Sequence, residues 1–234
     1  MSNIEFYFTR KQTFLIKIIL LFAIFLLPIS SKDLQFMNYT QILKEVKELK
    51  KNFSNFVQLD YGEEIFSGIN NEKCLLNDSD PKKYEMCKFP ILRITNFARP
   101  AEQTNKHPQV MIIGGTEGKE RLSPSAIVSW AKYILANKKQ HLSLLNSVTI
   151  LLLPLMDPYS YSKGVSRSKN ILLDFPLKSK TDQCLSTAPA RILNEVYRTN
   201  QISLTLFLAN NKNNEKNYYL SKIFLYNFLR LSTN

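Results

Sequence analysis

Apolar residues recur at helical spacing across Asn38–Asn52 (NYTQILKEVKELKKN), where Ile42, Leu43, Val46 and Leu49 form one stripe and Thr40 is the expected cap. That stripe predicts an amphipathic helix whose apolar face is core. Phe56–Tyr61 and Phe89–Asn96 (FPILRITN) are short and rich in branched and aromatic residues, which predicts strands, with a turn over Asp78–Pro81 between them. Val110–Ile113 (VMII) is a buried-type strand that stops at Gly114-Gly115. Ser123-Pro124 then opens a helix, Ser123 as its cap and Pro124 at the first helical position, where its missing donor costs nothing.

That helix carries Ile127, Trp130, Ala131 and Ile134 on one stripe and runs out near Asn137-Lys138-Lys139. Val148–Leu153 (VTILLL) follows, apolar at every position and ended by Pro154. Strand, crossover helix and a second strand apolar on both faces make a βαβ unit with a parallel, sandwiched pairing. Thr187–Asn200 (TAPARILNEVYRTN) predicts another helix and Ile202–Leu208 (ISLTLFL) another strand, so the expected fold is an α/β sandwich around a mixed, mostly parallel sheet. The tail, Tyr218–Leu231, is apolar nearly all round and reads either as a helix completing the core or as a remnant exposing apolar surface.

Composition narrows the function classes. At 234 residues and 44% apolar content, the chain buries one sizeable core, so one domain (32–234) after a leader (1–31) is expected. The net charge of +12 is spread over pairs such as Lys50-Lys51, Lys82-Lys83 and Lys138-Lys139, without an arginine-rich run or stacking motif, which argues against nucleic acid as a partner. Arg10, Lys11 and Lys17 precede the apolar segment Ile18–Ile29, and Ser30 and Ser31 follow it, the order of a secretory signal peptide. The alternative is a retained membrane anchor over Ile18–Ile29, although that stretch is shorter than the roughly 20 residues of a spanning helix. N-x-[ST] sequons at Asn38, Asn52 and Asn77 fit passage through a secretory compartment. Cys74 and Cys87 bracket a turn-rich segment and, in an oxidising compartment, close a short loop with Cys184 left over; otherwise all three are free thiols.

Ligand sites in such folds lie at the carboxyl ends of strands. GGTEGKE, Gly114–Glu120, occupies that place after the Val110 strand. Its glycine pair permits a sharp turn, and Glu117 and Glu120, three apart, face one point if the turn is helical. Two carboxylates alone make a poor zinc site, and a solvated acidic turn is the plainer alternative.

Five blocks in order, PQVMIIGGTEGKE, SPSAIVSWAKYIL, VTILLLPLMDPYSY, LLDFP and CLSTAPARILNEVYRTNQISLTLFLANN, resemble the zinc carboxypeptidases of the carboxypeptidase A/B kind over residues 39–211. The branch known from protists, with two cysteines ahead of the first metal motif, is the most similar. The resemblance implies a three-layer sandwich fold and zinc-dependent release of C-terminal residues from peptides. It also implies a G-G-x-H-G-x-E turn, an N-R-[ND]-F-P loop and a strand ending in H-G-G. Here Glu117 stands at the first metal histidine while Glu120 matches the metal glutamate. Leu172 and Leu173 replace the loop's asparagine and arginine, although Asp174, Phe175 and Pro176 match. Ala209 falls at the second metal histidine, with Asn210-Asn211 for the two glycines.

The chain's two histidines, His107 before the strand and His141 after the helix, are not placed to substitute. The family's general-base glutamate, substrate-holding tyrosine and specificity pocket follow the second histidine, so the domain is expected to be C-terminally truncated. The leading expectation is therefore a secreted, catalytically inactive carboxypeptidase-like protein with Glu117 and Glu120 as vestigial metal positions and no cofactor, whose partners are peptide or protein C-termini. The alternative is an active metallocarboxypeptidase that holds zinc. A third reading is a signal-anchored protein whose basic domain lies against anionic lipid. A carboxylate site of Glu117, Glu120 and Asp174 for calcium or magnesium is a further alternative, one that needs more oxygen donors and favourable geometry.

Overall fold

The structure, a computed structural model, describes residues 36–65, 72–76, 83–104, 106–166, 187–210 and 220–226. The leader segment Ile18–Ile29, Asn77, the Asp78–Pro81 turn, Leu172–Pro176 and Cys184 lie outside the described residues.

Helix α1, Tyr39–Asn52, forms where the stripe predicts it, and Ile42, Leu43, Val46 and Leu49 are all buried. Its cap is Asn38 rather than Thr40. The Gln41 N–H donates to Asn38 Oδ1 (2.9 Å) and the Asn38 N–H donates back to Gln41 Oε1 (2.7 Å), a reciprocal capping box. The helix starts early enough that Thr40 lies in its first turn, where its hydroxyl donates to the same Asn38 oxygen. Replacing Asn38 by alanine is expected to cost about 1 kcal/mol. A urea midpoint matching the parent's would show that the box contributes nothing.

The succeeding elements are β1 Val57–Tyr61, α2 Gly62–Ile65, β2 Lys73–Leu75, β3 Tyr84–Met86, β4 Pro90–Ile94 and α3 Ala101–Thr104. After them come β5 Gln109–Ile113, α4 Leu122–Ala136, α5 Leu142–Leu145, β6 Thr149–Leu153 and α6 Pro158–Lys163. Helix α7 Ala188–Thr199 and strands β7 Ile202–Asn210 and β8 Leu220–Tyr226 complete the described chain. Over Leu220–Tyr226 the tail is not the expected helix: it is a strand antiparallel to β7. Ile223, Phe224 and Tyr226 are strand formers, and the free edge of β7 offers a ladder that an isolated helix lacks.

Six strands form one mixed sheet in the order β1-β4-β6-β5-β7-β8. Parallel pairing joins β6, β5 and β7, and the flanking pairs are antiparallel. The step from β5 to β6 and the step from β6 past β5 to β7 run in opposite directions along the sheet. Right-handed crossovers therefore place α4 and α7 on opposite faces, giving three layers. This explains why all five residues of β6 are buried, as its uninterrupted apolar run requires.

Strands β2 and β3 make a separate hairpin closed by the Cys74–Cys87 disulfide, so the bridge is present and the free-thiol alternative falls for this pair. Beneath it, Glu63 Oε2 accepts the Phe89 N–H at 2.9 Å. Burial raises the pKa of this carboxyl above its ordinary value, with the Phe89 N–H opposing and Glu64 reinforcing. A carboxyl whose folded pKa exceeds its unfolded one binds more protons when folded, so its penalty is absent below the ordinary value near 4.5 and grows as pH rises above it. Glu63→Gln preserves an acceptor for Phe89 and is expected to flatten the loss of stability from pH 4.5 toward neutrality, compared by denaturant midpoints across that range. Identical slopes for parent and variant would rule the effect out.

Candidate active-site turn

The turn after β5 is built by backbone constraints more than by its carboxylates. Gly115 has φ +61°, and a Cβ there would lie 2.7 Å from the Pro154 carbonyl oxygen. This conformation lets the turn continue the parallel ladder. Gly114 N–H donates to Leu153 O (3.0 Å), and Met156 N–H and Asp157 N–H donate to Gly114 O (3.0 Å) and Gly115 O (2.8 Å). Ser123, expected as a helix cap, is instead the second residue of α4 and accepts the Gly115 N–H at 3.0 Å. Helix α4 begins at Leu122 behind Arg121, without a side-chain cap. Because Ser123 already lies inside the first helical turn, its hydroxyl is spent on fixing the glycine turn.

Glu117 and Glu120 sit in this turn, with Glu120 N–H donating to Glu117 O (3.1 Å). Glu120 is buried whereas Glu117 is half-buried. Beside them, the Arg121 guanidinium lies 4.3 Å over the Tyr161 ring. Tyr161 is fully buried and donates its hydroxyl to Met37 O. Met37 N–H donates to Ser125 Oγ (2.9 Å), which itself donates to Arg121 O (2.9 Å). Burial pushes the Tyr161 hydroxyl pKa up, and neighbouring Arg121 only partly offsets this, so the group stays a neutral donor. Asp157, also buried, caps α6 by accepting the Ser160 N–H at 3.1 Å. Ser125, Asp157 and Tyr161 fall within the blocks that carry the resemblance, but the sequence points to no role for them or for Arg121. Only the Asp157-Pro158 pair, a cap followed by a proline at a helix start, was there to be read.

The sheet brings the turn and Ala209 to the same end: β5 and β7 are parallel neighbours with Ile113 opposite Phe207, and Ala209 lies two residues further on. His107 precedes β5 at the other end of that strand, and His141 lies between α4 and α5. Burial lowers the pKa of both, for His107 with Arg99 adding to it. Among the predicted glycosylation sites, Asn52 is exposed at the end of α1, and Asn38 spends its carbonyl oxygen on the cap.

The family model described as zinc carboxypeptidase matches residues 84–172, a span that contains this whole turn and Glu120. The chain is carboxypeptidase-like. Solved structures agree on the fold of this carboxypeptidase-like chain. Carboxypeptidase A from Helicoverpa armigera superposes with a TM-score of 0.54 at 15% identity, over 86% of this chain and 53% of that one. Thrombin activatable fibrinolysis inhibitor gives 0.54 at 14%, over 78% and 49%. A metallo-carboxypeptidase from Burkholderia cenocepacia gives 0.50 at 12%, over 79% and 42%. At these identities the likeness is one of fold, and the carboxypeptidase-like chain spans about half the length of these structures or less. No curated protein matches it in sequence.

The family is zinc-dependent, but the donors on these positions do not suit zinc. Zinc sites combine histidine or cysteine with at most one or two carboxylates. The positions expected from the resemblance supply Glu117 and Glu120, which lie within the matched span, and Ala209, which lies beyond it and has no lone pair to give. Among the described residues, no three His, Cys, Asp or Glu side chains gather where one ion would bind.

Proposed function

We propose that this is a secreted, carboxypeptidase-like protein that does not hydrolyse peptides and serves as a binding module for peptide or protein C-termini. The observation that carries this reading is Ala209, at the strand end where the family places its second metal histidine, next to a turn with Glu117 in place of the first. Zinc hydrolysis needs three protein ligands, an open position for an activated water and a general base. One matched ligand, Glu120, does not meet that requirement. The replacement of the loop's asparagine and arginine by Leu172 and Leu173 also removes the fixed cation that holds a carbonyl or terminal carboxylate. C-terminus binding on this reading therefore rests on the fold and on backbone donors. Secretion is supported by the leader's charge order, the sequons and the disulfide.

The test is zinc per chain by elemental mass spectrometry, on the secreted protein purified without a histidine tag and passed through a weak chelator. A ratio near zero is expected, together with no release of C-terminal residues from peptides. A ratio near one, with release abolished by Glu120→Ala, would replace this reading by that of an active metallocarboxypeptidase.

A further inference from the structure

Two lysine pairs that stand far apart in the sequence, Lys50-Lys51 and Lys138-Lys139, meet in the fold. Helix α1 carries the first pair in its last turn, and the chain turns back at once, with Phe56 N–H and Val57 N–H donating to Phe53 O (2.8 and 2.9 Å). Lys50 Nζ reaches across this turn to donate to Val57 O (3.1 Å). From just beyond α4, Lys138 places its ammonium 5.2 Å from the Phe53 ring centre and 5.6 Å from that of Phe56, which brings Lys139 to the same place. The loop after β4 joins them: Phe97 N–H donates to Asn55 O (2.9 Å), and Arg99 follows two residues on. This end lies opposite the Gly114–Glu120 turn, because Val57 pairs with Ile94 and Ile94 with Ile150, at the start of β6.

Across residues 49–59, 96–101 and 135–148 the chain carries five cations, these four lysines and Arg99, and no acid. The acids that flank these segments in α1, β1 and α3 have cations of their own. Lys132 holds Glu45 (2.8 Å), Lys44 lies beside Glu48 (3.9 Å), Asp60 acts on Arg93, and Glu102 has Lys106 four residues on. The five cations are thus a local surplus.

We propose that this end of the domain binds a chain of sulfated sugars. A linear polyanion gains from several cations held together, because each one it meets releases condensed counterions. Between the lysine pairs the exposed residues are polar, Asn52, Ser54, Asn55 and Gln140, groups that hydrogen-bond to sugar hydroxyls and sulfate oxygens. A bilayer surface calls for apolar side chains directed outward among the lysines, whereas the large exposed ones at this end, Tyr133 and Leu142, are confined to the surroundings of His141. Single-stranded nucleic acid calls for open aromatic faces, and Lys138 covers the Phe53 and Phe56 rings. On the secreted reading above, an extracellular polymer is the polyanion within reach. The inference does not depend on whether the turn binds zinc or a peptide.

The test uses the full secreted chain on immobilised dextran sulfate, with unsulfated dextran as the blank. Binding is expected to weaken as salt rises, the logarithm of affinity falling linearly with that of salt concentration. Lys51→Glu/Lys139→Glu, both on exposed side chains, is expected to weaken it by roughly tenfold or more near physiological salt and to flatten that slope by about two. Lys73→Glu/Lys83→Glu makes the same change in net charge on exposed lysines of the β2–β3 hairpin and is expected to leave affinity within about twofold of the parent, since charges beyond the screening length contribute little. Circular dichroism melts of both variants verify that the fold is retained. Asn52 stands on this face, where an attached sugar would screen the lysines, so the protein is tested both as secreted and as Asn52→Gln. No binding, binding by Asn52→Gln alone, equal losses from the two charge reversals, or tighter binding to phosphatidylserine vesicles or duplex DNA than to dextran sulfate would each overturn the proposal.

Discussion

Replacing Gly118 by alanine is expected to destabilise the domain by about 3 kcal/mol or more, the largest effect of any single methyl added to the turn. The new Cβ would lie 2.0 Å from Val165 O, 2.1 Å from Ser160 O and 2.4 Å from Ser160 C. All three are backbone atoms, so no rotamer relieves the clash. Nor is the α6 side free to retreat. Asp157 caps its Ser160 N–H, the Val165 N–H donates to Ser160 O (3.1 Å), and Ser162 holds the β2–β3 hairpin. Gly164 is the control: it has φ +65°, but among the described residues the atom nearest its added Cβ is the side-chain Arg121 Nη2 at 3.4 Å. Alanine there pays left-handed strain of about 1–2 kcal/mol without a backbone collision. In a domain of this size each kcal/mol shifts the melting temperature by about 2–4 °C, so circular dichroism melts separate the two variants by several degrees. Equal melting temperatures would mean that α6 does not pack on the turn as closely as described.

The packing against α6 that makes Gly118 critical was invisible in the sequence, and the reason is general to the site. Periodicity reports how a segment presents one face to a core, which is why the α1 stripe, the apolar β6 run and the β5–α4–β6 unit were all legible beforehand. It does not report which backbone approaches which. GGTEGKE announced a turn at a strand end, but that Gly118 touches Ser160 and Val165, 42 and 47 residues later in number, depends on where the β6 loop returns. Ser123 shows the same limit from another side. A serine before Pro124 is a sound cap signal, yet one extra residue of helix at Leu122 turned that hydroxyl to Gly115. The helix reading of the tail fails because an apolar segment without a clear period fits helix or strand equally, and β8 is decided by the open edge of β7. The metal positions were legible only by resemblance, since alanine at position 209 carries no chemistry to notice.

Removing the Cys74–Cys87 disulfide, by Cys74→Ser with Cys87→Ser, is expected to cost about 3 kcal/mol, the chain-entropy value for a loop of this length. The sequence separation of 13 sets that figure. What remains without the bond is weak on its own: strands of three residues each, the bonds from Leu76 N–H to Lys83 O (3.0 Å) and from Cys87 N–H to Glu72 O (2.9 Å), and the Ser162 contact. An isolated hairpin of that size is marginal in water. Both cysteines are fully buried, so a reductant reaches the bond only after the hairpin opens, and native protein is expected to resist mild reduction that unfolded protein does not. Thiol titration decides the premise. With three cysteines in the chain and two of them joined, the protein unfolded without reductant is expected to show one thiol, that of Cys184. Three thiols would mean that the protein reaches its fold without the bond. The hairpin would then be held by its backbone bonds and its contact with α6, and the double substitution would leave the denaturation midpoint where it was.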